Sequence, residues 1–248
     1  MTSYKNLKLL EKFKEKFIRS NSSLPSFSLN ISCITLPVNF TNTSNEVWFG
    51  GLNSKPDVQD CAIFMFQTIF VSGVRLNIFF DNGCGDLVVK KSAVDKLLKL
   101  GRAKLAIPGP LQITGVGDQK SDAEGLFFIC LPLHDGSNVT LSGVCLPRIT
   151  SEFPKYDLQE VETDLKSWAE EIGIVDLPKL PTSVGGDVDI LIGSKYLRYF
   201  PKIVFEHETG LGIYESSFEG VDGCRGVING PHPKFSEAEK KFRDNCQI

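Results

Sequence analysis

The chain has 248 residues, a net charge of −3 and an apolar content of 42%. This length holds one sizeable domain with appendages, and the composition is that of a folded protein, which excludes a disordered chain. The near-neutral balance also excludes a partner that is selected by the overall charge of the protein, as a general polyanion would be.

Seven cysteines occur without a Cys-x-x-Cys pair, and the three histidines are isolated from one another. These spacings argue against a zinc module and against a disulfide framework. We therefore expect reduced, mostly buried thiols and no metal or other cofactor. Cys84 has no histidine near it in sequence, so it is interpreted as a structural cysteine rather than a nucleophile.

The sequence lacks the features that direct a chain to a membrane. Its N-terminus has no uninterrupted apolar core of the kind found in signal peptides, and no apolar stretch reaches transmembrane length. We therefore expect an intracellular, cytoplasmic protein that makes no membrane contact.

Residues 1–59 are predicted to form an N-terminal extension. The first 20 residues hold six basic side chains against two acidic ones. Four apolar residues recur there at the spacing of an amphipathic helix: Leu7, Leu10, Phe13 and Phe17. This helix is predicted to pack on its own domain. Contact with nucleic acid is the alternative for the helix, and it is not expected for the rest of the chain. A loop-rich connector follows, with one strand predicted at Leu29–Leu36.

A β domain is predicted from residue 60 to residue 218. The apolar run Cys61–Val71 predicts a strand, Ser72-Gly73 predicts a hairpin turn, and Val74–Phe80 predicts a second strand. Alternate residues give this second strand one continuous apolar face: Val74, Leu76, Ile78 and Phe80. The residue that follows, Asp81, therefore lies at the end of a strand whose buried face is already defined.

The turn Asp81–Gly85 is rich in glycine and begins with an acid. A carboxyl group beside a core lowers stability unless a partner or solvent meets it, so its presence suggests a function. An Asx-turn residue with no further role is the alternative. The apolar stretch Leu87–Val89 and the helical stretch Lys91–Leu100 follow the turn.

Two further strand pairs are predicted after this helix. The segments Leu111–Asp118 and Gly125–Leu133 are typical of the arms of a hairpin whose polar tip is Asp118–Glu124. The segments Asn138–Leu141 and Gly143–Leu146 are predicted to form the next pair.

An insertion, Thr150–Gly185, interrupts the β pattern. It contains three prolines and one helical segment, Leu158–Ile172, whose Trp168 is predicted to anchor the insertion to the sheet. Beyond the insertion, Ile190–Ile192 predicts a buried strand that ends on Gly193. A glycine at such a position allows the backbone to pass close to a neighbouring segment.

Three features in this order resemble the protease region of BEL/Pao-type retrotransposon polyproteins, which are retropepsin-like aspartic proteases. They are the turn Asp81-Asn82-Gly83, the hairpin around Gly115-Val116-Gly117, and the strand Ile190-Leu191-Ile192-Gly193. The resemblance extends roughly over residues 60–233. It implies a mainly β fold with minor α, in which a retropepsin-like closed barrel at 60–218 carries a helical, Pro-rich insertion at 150–185. A short N-terminal helix precedes the barrel, and a C-terminal tail at 219–248 follows it.

The resemblance also implies roles for single residues. Asp81 corresponds to the catalytic acid, Asn82 and Gly83 to the active-site turn, Gly115, Val116 and Gly117 to the flap, and Ile190, Leu191, Ile192 and Gly193 to the supporting strand. An aspartic protease activates water with two carboxyl groups. Because the chain has one Asp-x-Gly turn, the resemblance implies a homodimer that hydrolyses peptide bonds in a polypeptide substrate without a cofactor.

Two positions depart from the family's pattern. Asn82 occupies the place of a Ser or Thr whose hydroxyl braces the paired turns across the dimer. A catalytically silent peptide-binding or dimerisation module is therefore the alternative hypothesis. Ser194-Lys195 follows Gly193 where the family often places Arg or Asp, which predicts the loss of a charged pair that supports the site.

Overall fold

The computed structural model describes residues 62–115 and 120–231. Its strands are β1 (Ala62–Ile63), β2 (Phe66–Val71), β3 (Val74–Phe80), β4 (Leu87–Lys90), β5 (Ala103–Thr114), β6 (Lys120–Pro132), β7 (Asn138–Leu146), β8 (Phe153–Asp157), β9 (Ser183–Gly186), β10 (Ile190–Ile192), β11 (Lys202–Glu206), β12 (Gly212–Glu215) and β13 (Gly226–Pro231). The helices are α1 (Lys91–Lys99) and α2 (Gln159–Glu171), with short 3₁₀ segments at Ser194–Tyr199 and Val221–Gly223. The described part is mainly β, as the sequence predicts.

Seven strands form the largest sheet, in the order β2-β3-β10-β4-β7-β6-β5. The central strand, β10, runs parallel to β3 and antiparallel to β4. Its three residues are all fully buried because strands flank it on both sides and apolar layers cover both of its faces. Among the described residues no pairing joins the edge strands β2 and β5, so the closed barrel that the resemblance implies is not observed.

One face of this sheet packs against α1. Alternate side chains of β3 and β10, including Leu76, Ile78 and Ile190, lie on this face and belong to the same apolar cluster as Ala93 and Leu97 of α1. All five are fully buried. Burial of a large aliphatic side chain of this kind stabilises the fold by about 1.5–3 kcal/mol.

The opposite face packs against the insertion. Phe79, Leu191 and Val88 lie side by side on it, since they are register partners across β3, β10 and β4. Phe153 of β8 and Leu165 of α2 belong to the same apolar cluster. The insertion therefore contributes to the core of the domain instead of projecting from it.

A second sheet has the order β1-β13-β12-β11 and crosses the domain boundary predicted between residues 218 and 219, because β13 pairs with both β12 and β1. The insertion is fixed against this sheet through Trp168. The indole ring stacks on His207, the residue after β11, with ring centroids 3.8 Å apart.

Predictions that rest on local pattern are confirmed. Strand β3 has the predicted bounds, and Ser72 and Gly73 adopt positive φ angles of 50° and 84° in the predicted turn. Helix α1 ends one residue before the predicted end, and α2 lies within the predicted segment Leu158–Ile172.

The prediction of two strands within 138–146 is wrong, because β7 runs through Ser142-Gly143 without a turn. Gly143 serves close packing here rather than chain reversal. A Cβ at this residue would lie 2.6 Å from the carbonyl oxygen of Leu87, its partner in β4. Glycine inside a strand often marks such a close approach.

Other boundaries also differ from prediction. The segment predicted as the hairpin tip, residues 118–124, is strand from Lys120 onward, since its polar side chains alternate with the buried Ala123. The run Cys61–Val71, predicted as one strand, is divided between β1 and β2, which belong to different sheets.

The N-terminal helix, the strand at Leu29–Leu36 and the flap residues Val116 and Gly117 lie outside the described residues, so these remain predictions. In the two ranges that the structure describes, neither helix has the length and apolar character needed to cross a bilayer.

Candidate active site

Asp81 emerges from β3 beside the central strand β10. Its backbone N–H donates to the carbonyl of Ile192 at 3.0 Å, which continues the ladder between the two parallel strands. After the turn, Leu87 begins β4, which pairs with the other side of β10. The turn therefore joins two strands that share one neighbour, and that neighbour fixes its position.

Gly193 lies directly against this turn. A Cβ on Gly193 would come within 2.2 Å of the carbonyl oxygen of Asp86 and within 2.5 Å of that of Cys84. The next residue, Ser194, donates its N–H to the Cys84 carbonyl at 2.7 Å. The prediction that glycine at 193 permits close passage of the backbone is confirmed.

The carboxyl group of Asp81 is half-buried and engaged on one side. Oδ1 accepts the N–H of Gly83 at 2.9 Å, and the Asp81 carbonyl accepts the N–H of Cys84 at 3.2 Å. These bonds form the Asx-turn that the sequence allowed as an alternative. Because the carboxyl group is only half-buried, a substrate, a water or another chain can reach it.

Burial raises the pKa of the Asp81 carboxyl above its ordinary value, and the N–H groups of Gly83 and Cys84 oppose part of that rise. Acids whose pKa is raised by burial are concentrated at functional sites, although structural acids also show such shifts. The turn and the raised pKa are therefore compatible with catalysis.

Replacement of Asp81 by Asn is expected to stabilise the folded chain at neutral pH. The folded pKa lies above the unfolded value, so the unfolded chain binds fewer protons between these two values and stability falls as pH rises through that window. Denaturant unfolding of both proteins at about pH 3 and about pH 7 measures the difference. The advantage of the variant should shrink toward the lower pH. If the variant exceeded the wild type in free energy of unfolding by the same amount at both pH values, the result would contradict the raised pKa of Asp81.

An ion pair supports the turn from the side of β10. Nζ of Lys195 lies 3.0 Å from each carboxylate oxygen of Asp86, and Asp86 is only 8% exposed. The Asp86 carboxylate also accepts the N–H of Leu87 at 2.8 Å. The predicted loss of a charged pair at Ser194-Lys195 is therefore wrong, since Lys195 supplies the cation from one position further along the chain.

Replacement of Lys195 by Met is expected to lower the free energy of unfolding by about 1–2 kcal/mol, because the buried Asp86 carboxylate loses its cation. The control is Lys166→Met, which removes a partner of Glu162 from a surface pair on α2. That change should cost less than about 0.5 kcal/mol. Equal losses in denaturant unfolding would show that the Lys195 pair gives the turn no special support.

Asn82 occupies the exposed tip of the turn. Its side-chain amide forms no hydrogen bond with any described residue of the single chain, whereas the residues on either side are held by backbone contacts. The amide is therefore free to bond with a group that another chain presents.

The β5–β6 hairpin is the candidate flap. Gly115 follows the end of β5, and the tip beyond it is outside the described residues. In the half of the hairpin next to the tip, Leu111, Ile113 and Ala123 are buried in the apolar cluster against which Phe79 also packs. The hairpin thus covers the face of the sheet that carries Phe79, two residues before Asp81.

Cys84 is fully buried and disulfide-bonded, so the expectation of reduced thiols is wrong for this residue. It is right for Cys130, Cys145 and Cys224, which are free. Spacing in sequence does not reveal which cysteines come within bonding distance in the fold. In the described ranges there is no cluster of three potential metal-ligating side chains.

The structure thus brings together Asp81, Asn82, Gly83 and the strand Ile190–Ile192 with Gly193, as the sequence predicts. Sequence reasoning missed Asp86 and Lys195, because an acid at the end of a turn gives no sign of a lysine 109 residues later. The lysine two residues after Gly193 was the one feature of the sequence that could have indicated this ion pair.

The chain matches no protein-family model and no curated protein.

Proposed function

We propose that the chain is an aspartic endopeptidase of the retropepsin type, which acts as a homodimer and cleaves a polyprotein of the BEL/Pao retroelement kind. The observation that carries this proposal is the setting of Asp81. Its half-buried carboxyl, with a raised pKa, ends a strand and lies in a turn held against Gly193. Such a placement opposes folding, and a catalytic use accounts for it.

Peptide hydrolysis by this route requires two carboxyl groups. In the proposed dimer the two-fold axis brings Asp81 of each copy together, and because two adjacent carboxylates repel each other, one keeps its proton. The ionised carboxylate takes a proton from water as that water attacks the peptide carbonyl, and the protonated carboxyl donates its proton to the carbonyl oxygen. The carboxyl group that received the proton of water then passes it to the leaving nitrogen, while the other carboxylate takes a proton from a hydroxyl of the tetrahedral species. The C–N bond breaks and releases an amine and a carboxylic acid, which returns the two carboxyl groups to their starting protonation states.

The matching fold proposal is a retropepsin-like barrel. The strand order β3-β10-β4 supports it, since a strand from the C-terminal half lies between the two strands that flank the acidic turn. In this proposal the β5–β6 hairpin closes over bound peptide and excludes water from the reaction. The exposed Asn82 amide bonds across the dimer in the place of the family's hydroxyl.

The test is proteolysis by the purified full chain on a library of unstructured peptides. We expect cleavage whose specific activity rises with protein concentration as dimers form. A peptide with a hydroxyl-bearing, non-cleavable replacement of the scissile bond should inhibit it, because such a group resembles the tetrahedral transition state. Cleavage that resists this inhibitor, or that a metal chelator abolishes, would overturn the mechanism.

A catalytically silent peptide-binding or dimerisation module is the second candidate, and the exposed Asn82 favours it. The variants Asn82→Ser and Asn82→Ala separate the two functions. For an active protease, Ser should raise the cleavage rate about tenfold, the equivalent of one improved hydrogen bond, and Ala should lower it. For a silent module whose only defect is Asn82, Ser creates activity where there was none. Identical cleavage rates in the wild type, Asn82→Ser and Asn82→Ala would show that Asn82 neither supports nor prevents catalysis.

A further inference from the structure

Asp81 follows β3 directly, and its N–H continues the pairing with β10, so the alternation of the strand places Asp81 on the same face of the sheet as Phe79. Successive side chains of a strand alternate between its faces, so residues two apart share a face and lie about 7 Å apart. Phe79 is a register partner of Phe66 on one side and of Leu191 on the other. The surface next to the Asp81 carboxyl is therefore a row of apolar side chains.

Phe153 covers this row. It is the first residue of β8, in the insertion, and its ring centroid lies 5.0 Å from that of Phe79, 5.0 Å from that of Phe66 and 5.4 Å from that of Phe64. Phe153 is 9% exposed, whereas Phe64 and Phe79 are only partly buried. The insertion thus places an aromatic ring over apolar side chains that would otherwise face the space beside Asp81.

Little room remains around this ring. The cavity that Phe64, Phe66 and Phe153 help to line has a volume of about 10 Å³. That volume holds about one water molecule and no amino-acid side chain. The space beside Phe153 within the insertion is therefore too small for a side chain, and its ring contacts with Phe64, Phe66 and Phe79 fill the side toward the sheet.

We propose that Phe153 forms the wall of the subsite that receives the substrate side chain beside the scissile bond, and that it restricts this subsite to small side chains. The inference rests on the proposed function. In a homodimer one Phe153 faces each side of the cleaved bond, so the preferred substrates are peptides with residues such as Ala or Val on both sides. The insertion is then a determinant of specificity.

The test compares kcat/KM for two peptide sets that differ only at the residues flanking the scissile bond, with Ala in one set and Phe in the other. The wild type should favour Ala. Phe153→Ala opens space for a ring and should shift the Phe-over-Ala ratio by about 10- to 100-fold toward Phe, the range available to a changed apolar pocket. Phe153→Leu should shift the ratio less, and it covers the case in which the Ala variant does not fold.

The matched control is Phe205→Ala. Phe205 is 5% exposed and belongs to the same apolar cluster, but it lies on β11 in the other sheet. This variant should lose stability and keep the wild-type ratio. If Phe153→Ala and Phe153→Leu lower both rates by the same factor, Phe153 is a core residue only and the inference fails. If the wild type cleaves no peptide of either set, the proposed function fails and the inference falls with it.

Discussion

Asp81→Asn is expected to lower the rate of peptide cleavage by about 10³- to 10⁴-fold, because an amide neither takes a proton from water nor holds one for transfer. The substitution keeps the shape of the side chain and an oxygen for the N–H of Gly83. Loss of activity should therefore accompany a folded protein, which circular dichroism and denaturant unfolding verify. Activity that survives the substitution would exclude Asp81 as the catalytic acid.

Asp189→Asn is the matched control for this experiment. Asp189 is also a half-buried acid beside β3 and β10, and burial raises its pKa as it does that of Asp81. Its carboxylate accepts the N–H of Asn77 at 2.9 Å, near the end of β10 that is remote from the acidic turn. The variant should remain active, which separates the general effect of removing a buried charge from the loss of a catalytic group.

Mixed dimers test whether the two carboxyl groups come from two chains. In an equal mixture of wild type and Asp81→Asn, allowed to exchange subunits, about a quarter of the dimers retain both carboxyl groups. Activity should therefore fall to about a quarter of that of the same total amount of wild-type chain. A monomeric enzyme would keep about half, since each wild-type chain would act alone.

The second large effect is expected for Gly193→Ala, which should lower the free energy of unfolding by about 3 kcal/mol. The added methyl group would meet two backbone carbonyl oxygens, those of Asp86 and Cys84, which cannot move aside as a flexible side chain does. Relief requires β10 to separate from the acidic turn. We expect the cleavage rate to fall together with stability, because the same displacement moves Asp81.

Gly173→Ala is the control for the backbone effect of losing a glycine. Gly173 has a φ of +82° and no atom within 4 Å of the position of a Cβ, so its replacement adds conformational strain without a clash. A cost of about 1–2 kcal/mol is expected from that strain. Thermal or denaturant unfolding compares the two variants. A loss at Gly193 no larger than that at Gly173 would mean that the turn tolerates displacement from β10.

The elements that could be predicted from sequence are those defined by neighbours along the chain. The alternation in Val74–Phe80 gives the buried face of β3, and the glycine after Ile192 signals the close approach to the turn. Gly143 has the same role, yet the sequence pattern predicts the start of a new strand there, because a glycine after Leu141-Ser142 is also typical of a chain reversal. Glycine allows both uses, and only the position of Leu87 across the sheet decides between them.

The parts that could not be predicted depend on long-range pairing. Lys195 contacts Asp86 across the fold, and Phe153 contacts Phe79 from an insertion that interrupts the β pattern of the sequence. Neither contact has a local pattern, since each is set by how the strands are ordered in the sheet. The candidate catalytic acid could therefore be predicted from the sequence, whereas most of the residues that pack around the acidic turn could not.

The position of β10 has a consequence for the order of events during synthesis. β3 and β4 leave the ribosome about a hundred residues before the strand that lies between them, and contacts over such separations form late. Until Gly193 has emerged, Asp81 belongs to a turn without its central support. For the proposed protease, a chain truncated before β10 is therefore expected to lack cleavage activity, so that a growing polypeptide would not be cut before the domain is complete.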